Sequence, residues 1–154
     1  MPRSRWSALP SSPSESELPV GPQDEARLQE WLPASSRAPG VARRAIDRAL
    51  SDLPPALLDR VRLLVSELVT NAVVHGPRTE DSAVQLTVHT SPNSLTVEVR
   101  DTGSGFQRRL LAPSVRGSGW GLFLVEKMSD RWGVNGNDQT RVWFQIDRRA
   151  PSVA

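Results

Sequence analysis

The run "ALLDRVRLLVSELVTNAVVHG" places an apolar residue on one side of a helix at nearly every turn. The apolar line comprises Leu57, Val61, Leu64, Leu68 and Ala72. Such spacing predicts an amphipathic α-helix, and Gly76 followed by Pro77 marks its end. A helix of this length has to bury its apolar face against another layer, so it sets the centre of the fold.

Shorter patterns predict the elements around this helix. "RLQEWLP" favours a strand that ends at Pro33. "SSRAPGVARRAIDRALSDLP" favours a helix with Val41, Ala45 and Leu50 at helical spacing and with Pro54 and Pro55 as its stop. The period then falls to two in "AVQLTVHT" and "SLTVEVRD", which "SPN" joins as a hairpin. "WGLFLVEKMSDRWG" predicts another helix, and "DRWGV" and "TRVWFQID" predict closing strands. The order predicts an α/β (α+β) two-layer sandwich, with one mixed sheet and the helices on a single face.

Polar residues also recur along the long helix, at Glu67, Asn71 and His75. Positions four apart fall near one face and lie about 6 Å apart along the axis. This row suits a ligand that carries a metal and negative charge, because an amide oxygen is a hard ligand that Mg²⁺ accepts and a carboxylate can deprotonate an attacking hydroxyl. The alternative is structural, with Glu67 and His75 at the edge of the core and Asn71 a hydrogen-bonding residue near the helix end.

The segment "VEVRDTGSGF" ends a strand at Asp101 and continues with Gly103 and Gly105. A buried carboxylate there can accept a hydrogen bond from an exocyclic amine such as that of adenine, and glycines let the backbone approach a flat ligand closely. By itself, "DTGSG" also suits a tight turn.

In "RGSGWGL", three alternate glycines, Gly117, Gly119 and Gly121, open an apolar helix. Backbone N–H groups at a helix N-terminus form a natural phosphate site. The segment is not a Walker loop, because the Gly-Lys-Ser/Thr sequence is absent. It is not the dinucleotide fingerprint either, because Leu122 stands where the third glycine belongs.

Composition narrows the function classes. The chain has no cysteine and two histidines, which argues against disulfides, thiolate metal sites and histidine-rich metal sites. Its net charge is only +2 and its arginines are interleaved with acids, so charge does not argue for nucleic acid. No apolar run is long enough for a membrane span, and we expect a cytoplasmic protein.

Residues 1–24 are rich in Ser and Pro and are expected to be a disordered tail. A domain at 25–148 and a short C-terminal tail at 149–154 are expected to follow.

Taken in order, these motifs resemble the nucleotide site of the GHKL ATPase superfamily, which includes histidine kinase catalytic domains, gyrase and MutL. The segments "LLVSELVTNAVVHG", "VEVRDTGSGF", "GWGLFLVEKMSDRWGV" and "TRVWFQI" are most similar to the stand-alone bacterial anti-sigma factor kinases of the SpoIIAB/RsbW type, which abound in actinomycetes. The resemblance covers roughly residues 27–148 and implies the Bergerat ATP-binding fold.

The resemblance also implies a role for each matching residue. Asn71 matches the Mg²⁺ ligand, Glu67 the proposed general base, and Asp101 the carboxylate that binds the adenine amino group. Thr140 matches a hydroxyl near adenine, and His75 falls at a variable position near the phosphates. The glycines of the motifs, with the residue after the last of them, complete the expected site: Gly103, Gly105, Gly117, Gly119, Gly121 and Leu122.

The function that the resemblance implies is ATP- and Mg²⁺-dependent phosphorylation of a serine or threonine on an anti-sigma-factor antagonist. A sigma factor is the expected competing partner, and a homodimer the expected assembly. A non-catalytic switch that binds ATP and a partner is an alternative. The catalytic half of a histidine kinase is a further one, but the phospho-acceptor hairpin it needs is missing: His75 lies in the nucleotide helix and His89 in a strand.

Overall fold

Three helices and five strands lie within the residues that the computed structural model describes, 18–75, 82–101, 120–135 and 141–148. Each predicted segment has the predicted type. In chain order the elements are β1 (Glu25–Pro33), α1 (Ala38–Ala49), α2 (Pro55–His75), β2 (Ala83–Thr90), β3 (Ser94–Asp101), α3 (Trp120–Met128), β4 (Arg131–Asn135) and β5 (Arg141–Asp147).

The strands form one sheet in the order β1-β2-β3-β5-β4. The two-layer sandwich is confirmed, but the prediction of a mixed sheet is wrong for the described strands, because all four pairings are antiparallel. The helical crossover joins β3 to β4, which run parallel to each other. However, β5 lies between them and pairs antiparallel with both.

The inner face of the sheet and the three helices share one apolar core. Alternate residues of each strand enter it, as the period of two requires. The apolar line predicted for α2 is confirmed, since Val61, Leu64 and Leu68 are fully buried and Ala72 is 1% exposed. α1 packs on β1, α2 packs on β2 and β3, and α3 packs on β4. None of the helices in the described part of the chain is long and apolar enough to cross a membrane.

Polar side chains tie the helices together at their surface. α2 starts at Pro55, a residue that helices accept in their first turn. Arg60 donates from Nε to the carbonyl oxygen of Met128 at the end of α3. Arg62 pairs with Asp47 of α1 at 3.2 Å, and Arg43 of α1 donates to Ser66 Oγ of α2 at 3.1 Å. These contacts fix how α2 lies between its two neighbours.

The outer face of the sheet is polar but also largely buried. Thr96, Glu98 and Gln145 are each at most 7% exposed, and Trp143 is 1% exposed. Gln145 Nε2 donates to Thr96 Oγ1 at 3.0 Å and to the carbonyl oxygen of Pro19 at 3.5 Å. Part of the chain before β1 therefore lies against this face.

Candidate functional site

The polar row predicted on the long helix lies in the second half of α2. Glu67 is half-buried, and Asn71, one turn further on, is only 5% exposed. His75 is the last residue of α2 by its backbone, and its side chain lies outside what the structure describes. The row therefore runs from a half-exposed carboxylate to a buried amide.

The side-chain amide of Asn71 is buried, and its nitrogen, Nδ2, lacks a hydrogen bond within the described part of the chain. An unpaired buried polar group costs about 1–3 kcal/mol, and most such groups in folded proteins are satisfied. The amide oxygen, Oδ1, is the atom of this side chain that could bind a metal ion.

Asp101 is the last residue of β3 and is 2% exposed. It pairs with Val84 of β2, which is a core residue, so the Asp101 side chain lies on the inner face of the sheet. A carboxylate at that depth needs hydrogen-bond donors, and an aromatic amine is a suitable one.

The start of α3 confirms the predicted helix but covers only part of the glycine motif. Gly121 and Leu122 lie in its first turn by backbone, and nothing of their surroundings is described. Lys127, the single lysine, lies exposed in the last turn, with Nζ 5.8 Å from the centroid of the Phe123 ring. The remaining predicted residues lie outside the described ranges: Gly103, Gly105, Gly117, Gly119 and Thr140.

The fold brings the motif-bearing elements into contact. α2 packs against both β3 and α3. Glu67, Asn71 and Asp101 therefore belong to elements that share one core, although they are up to 34 positions apart in the chain.

The donor set suits a magnesium ion that arrives with phosphates more than a resident metal. Among the described residues, no group of three or more His, Cys, Asp or Glu side chains is placed to hold a metal ion. Mg²⁺ commonly takes one or two protein oxygens and completes its shell with phosphates and water. One buried amide oxygen at Asn71 fits that pattern.

The sequence interpretation missed a charged cluster on the outer face. Glu98 Oε1 lies 2.9 Å from Arg141 Nε and 3.2 Å from Arg100 Nη2. The alternation in "VEVRD" indicates that Glu98 and Arg100 share a face, but only the pairing with β5 brings Arg141 beside them.

A separate open groove lies at the start of α1 and contains none of the predicted nucleotide ligands. Three arginines, Arg37, Arg43 and Arg44, lie along it. One of them, Arg43, donates to Ser66 Oγ, so the groove adjoins the part of α2 that carries Glu67.

A family model described as "Histidine kinase-like ATPase domain" matches residues 32–146. The chain belongs to this family. The resemblance predicted from the motifs is thus confirmed, and the matched range includes every element of the fold from the end of β1 to β5.

Relatives of this ATPase-family chain are anti-sigma F factors. The protein from Clostridium acetobutylicum is 32% identical over 116 residues, which is 69% of this chain and 81% of the relative. Those from Anoxybacillus flavithermus and Clostridium novyi are 29% identical over 123 residues and 25% identical over 131 residues. These alignments cover 73% and 78% of this chain, and 83% and 92% of the two relatives.

Proposed function

We propose that this ATPase-family chain is an anti-sigma regulatory factor that binds Mg²⁺ and ATP and phosphorylates a serine or threonine of an anti-sigma-factor antagonist. The observation that carries the proposal is the buried side chain of Asn71, whose Nδ2 atom has no hydrogen-bond partner among the described residues, in a chain of the histidine kinase-like ATPase family. The names of the relatives support the regulatory part.

Each residue of the site has a stated task. Asn71 presents its amide oxygen to Mg²⁺, and Asp101 accepts a hydrogen bond from the adenine amine. Glu67, less buried than Asn71, is open to a partner protein, and takes the proton from the attacking hydroxyl. When bound, Mg²⁺ supplies positive charge that stabilises the phosphates as the bond to the leaving group breaks.

The remaining assignments of the proposal concern the context. The ATPase domain occupies residues 25–148, the protein works in the cytoplasm, and the functional unit is a homodimer. A sigma factor competes with the antagonist for the ATP-bound form. The backbone of Gly117, Gly119 and Gly121 contacts the phosphates, with Leu122 beside them, while Gly103, Gly105, Thr140 and His75 line the pocket.

Nucleotide binding is tested by titrating the purified chain with a fluorescent ATP analogue and magnesium. The expected result is a saturable signal that is lost in Asn71→Ala and in Asp101→Ala. Thr70→Ala is the matched control, because Thr70 precedes Asn71 but lies exposed on α2. A signal that the first two variants leave unchanged would refute the site.

Phosphoryl transfer is tested by pull-down from the source organism with and without ATP, followed by mapping of phosphorylated sites on whatever binds. Glu67→Ala should spare nucleotide binding and abolish transfer. Asp59→Ala is the matched control, since it removes a carboxylate 74% exposed on the same helix. Transfer at the normal rate in Glu67→Ala would show that the base is wrongly assigned. ATP-dependent binding without transfer in the wild type would favour the non-catalytic switch.

A further inference from the structure

The outer face of the sheet holds a nearly buried carboxylate between two arginines, directly behind the strand end that carries Asp101. The Glu98 side chain is 6% exposed, whereas those of Arg100 and Arg141 are 30% and 32% exposed. Both guanidinium groups approach the same carboxylate oxygen, Oε1, at 3.2 and 2.9 Å. One negative charge thus lies beside two positive ones and offsets part of the repulsion between them.

The strand register explains why this acid is needed. Arg100 of β3 and Arg141 of β5 are directly opposite each other and form the last described pair between these strands. Like charges directly opposite in an antiparallel pair destabilise it. Glu98 lies two residues earlier on the same face, opposite the buried Trp143. Its charge is therefore only weakly screened by water and acts strongly on both arginines.

The pair of arginines adjoins the candidate adenine ligand. Asp101 follows Arg100 and points to the opposite face of the sheet, because successive strand residues alternate. At this end, Asp101 of β3 pairs with Val84 of β2 on one side, and Arg100 of β3 pairs with Arg141 of β5 on the other. Repulsion between the arginines would separate β3 from β5 at the residue before Asp101.

We propose that Glu98 is a positioning residue for adenine recognition. By attracting both Arg100 and Arg141 and so offsetting their repulsion, it keeps the end of β3 against β5, and Asp101 stays where it accepts a hydrogen bond from the exocyclic amine. Glu98 lies on the face away from the nucleotide and does not touch it. This inference rests on the proposed function of Asp101.

The test compares ATP with purine riboside triphosphate, which is ATP without the exocyclic amine, by direct binding titration. The wild type should prefer ATP. Glu98→Gln, which keeps the shape and removes the charge, should weaken ATP binding roughly tenfold and leave the analogue unchanged. A merely structural role would weaken both nucleotides equally and leave the preference intact, which would overturn the proposal.

A second arginine change provides the rescue. In Glu98→Gln/Arg100→Gln only one arginine remains at the strand end, so the repulsion is gone and the preference for ATP should return. Arg100→Gln alone is the control and should keep the preference, because Glu98 still pairs with Arg141. A double variant as weak as Glu98→Gln would show that charge repulsion is not the cause.

Amide hydrogen exchange in the nucleotide-free chain tests the positioning independently of binding. Glu98→Gln should speed exchange at residues 99–101 and 141–142, and Arg100→Gln should reverse it. If the wild type binds no ATP, the proposed function fails while the exchange result still supports or refutes the strand-end effect. If ATP binds with its preference and Glu98→Gln changes neither measurement, the positioning role alone is wrong.

Discussion

Two arginines in the first half of α2 and an asparagine in its second half differ in whether their side chains have a charged or hydrogen-bonding partner. In the first half, Arg60 bonds the Met128 carbonyl oxygen, and Arg62 pairs with Asp47 and with Asp59. In the second half, Asn71 Nδ2 is buried and has no partner among the described residues. Both halves share the same apolar line, so packing alone does not explain the difference.

The difference separates residues that hold the helix in place from residues that serve a ligand. Arg60 and Arg62 of the first half pair with groups on neighbouring helices, although Arg62 Nε, like Asn71 Nδ2, makes no hydrogen bond within the described residues. Leaving a buried amide unpaired lowers stability by about 1–3 kcal/mol. Proteins keep such destabilising groups mainly at functional sites. The buried amide in the central helix is therefore expected to serve ligand binding.

The largest expected effect comes from the apolar line that the halves share. Leu64→Ala and Leu68→Ala, one in each half, remove fully buried side chains. Each should lower the free energy of unfolding by about 2–5 kcal/mol, because a cavity forms in the shared core. Chemical denaturation measures this. A much smaller loss of stability for Leu68→Ala would mean that the second half of α2 is poorly packed. The two halves would then differ in packing as well as in their polar groups, and the comparison between them would fail.

Asn71→Leu separates binding from stability most sharply. Leucine is apolar and of similar size, so the free energy of unfolding should stay the same or rise by up to about 1 kcal/mol. ATP affinity in the presence of magnesium should fall at least about tenfold, as expected for a lost metal ligand. Denaturation and nucleotide titration on the same sample check both. A marked loss of stability would show that the amide is structural.

Arg60→Met should give the reverse result. Its bond to the Met128 carbonyl and its 3.9 Å pair with Asp130 are lost, while its apolar stem is retained. The free energy of unfolding should fall by about 1 kcal/mol, with ATP affinity unchanged. Arg44→Met is the control, since Arg44 is exposed on α1. Weaker ATP binding in Arg60→Met alone would mean that the first half also serves the ligand.

The smallest change in stability is expected at an exposed ion pair outside α2. It shows how much an ordinary surface contact contributes. Arg27 donates to Asp52 Oδ1 at 2.8 Å and thereby lowers the pKa of Asp52. A lowered carboxyl pKa stabilises the fold above the ordinary value of 3.8, and this contribution is lost as the pH falls through the lowered value. Asp52→Asn should therefore be slightly less stable than the wild type at neutral pH, and the difference should shrink below pH 3.8. A difference independent of pH in denaturation curves would contradict this origin.

Much of the fold could be predicted because local periodicity determines which segments are helices and strands. The apolar line of α2 and the hairpin of β2 and β3 follow directly from spacing. The antiparallel pairing of the sheet could not be predicted in this way. It depends on the position of β5 between β3 and β4, which local sequence patterns do not determine. The burial of the outer face was missed for the same reason, since charged alternate residues such as Glu98 normally face water.

For the candidate site, the sequence indicated Asn71 and Asp101, and the structure buries both on the helix side of the sheet. Their positions could be predicted because each residue lies at a fixed place in a regular element, while their roles as nucleotide ligands stay predictions. The Glu98 cluster could not be predicted, since its two arginines come from strands about forty residues apart in the chain and meet only through the register.

The single lysine on the last turn of α3 has a practical consequence. An amine-reactive dye can attach to only one side chain, Lys127, besides the N-terminal amine. That attachment point is exposed and lies on the helix whose first turn follows the glycine motif. One labelling reaction, without any engineered cysteine, would thus give an optical reporter near the place where phosphates are expected to dock.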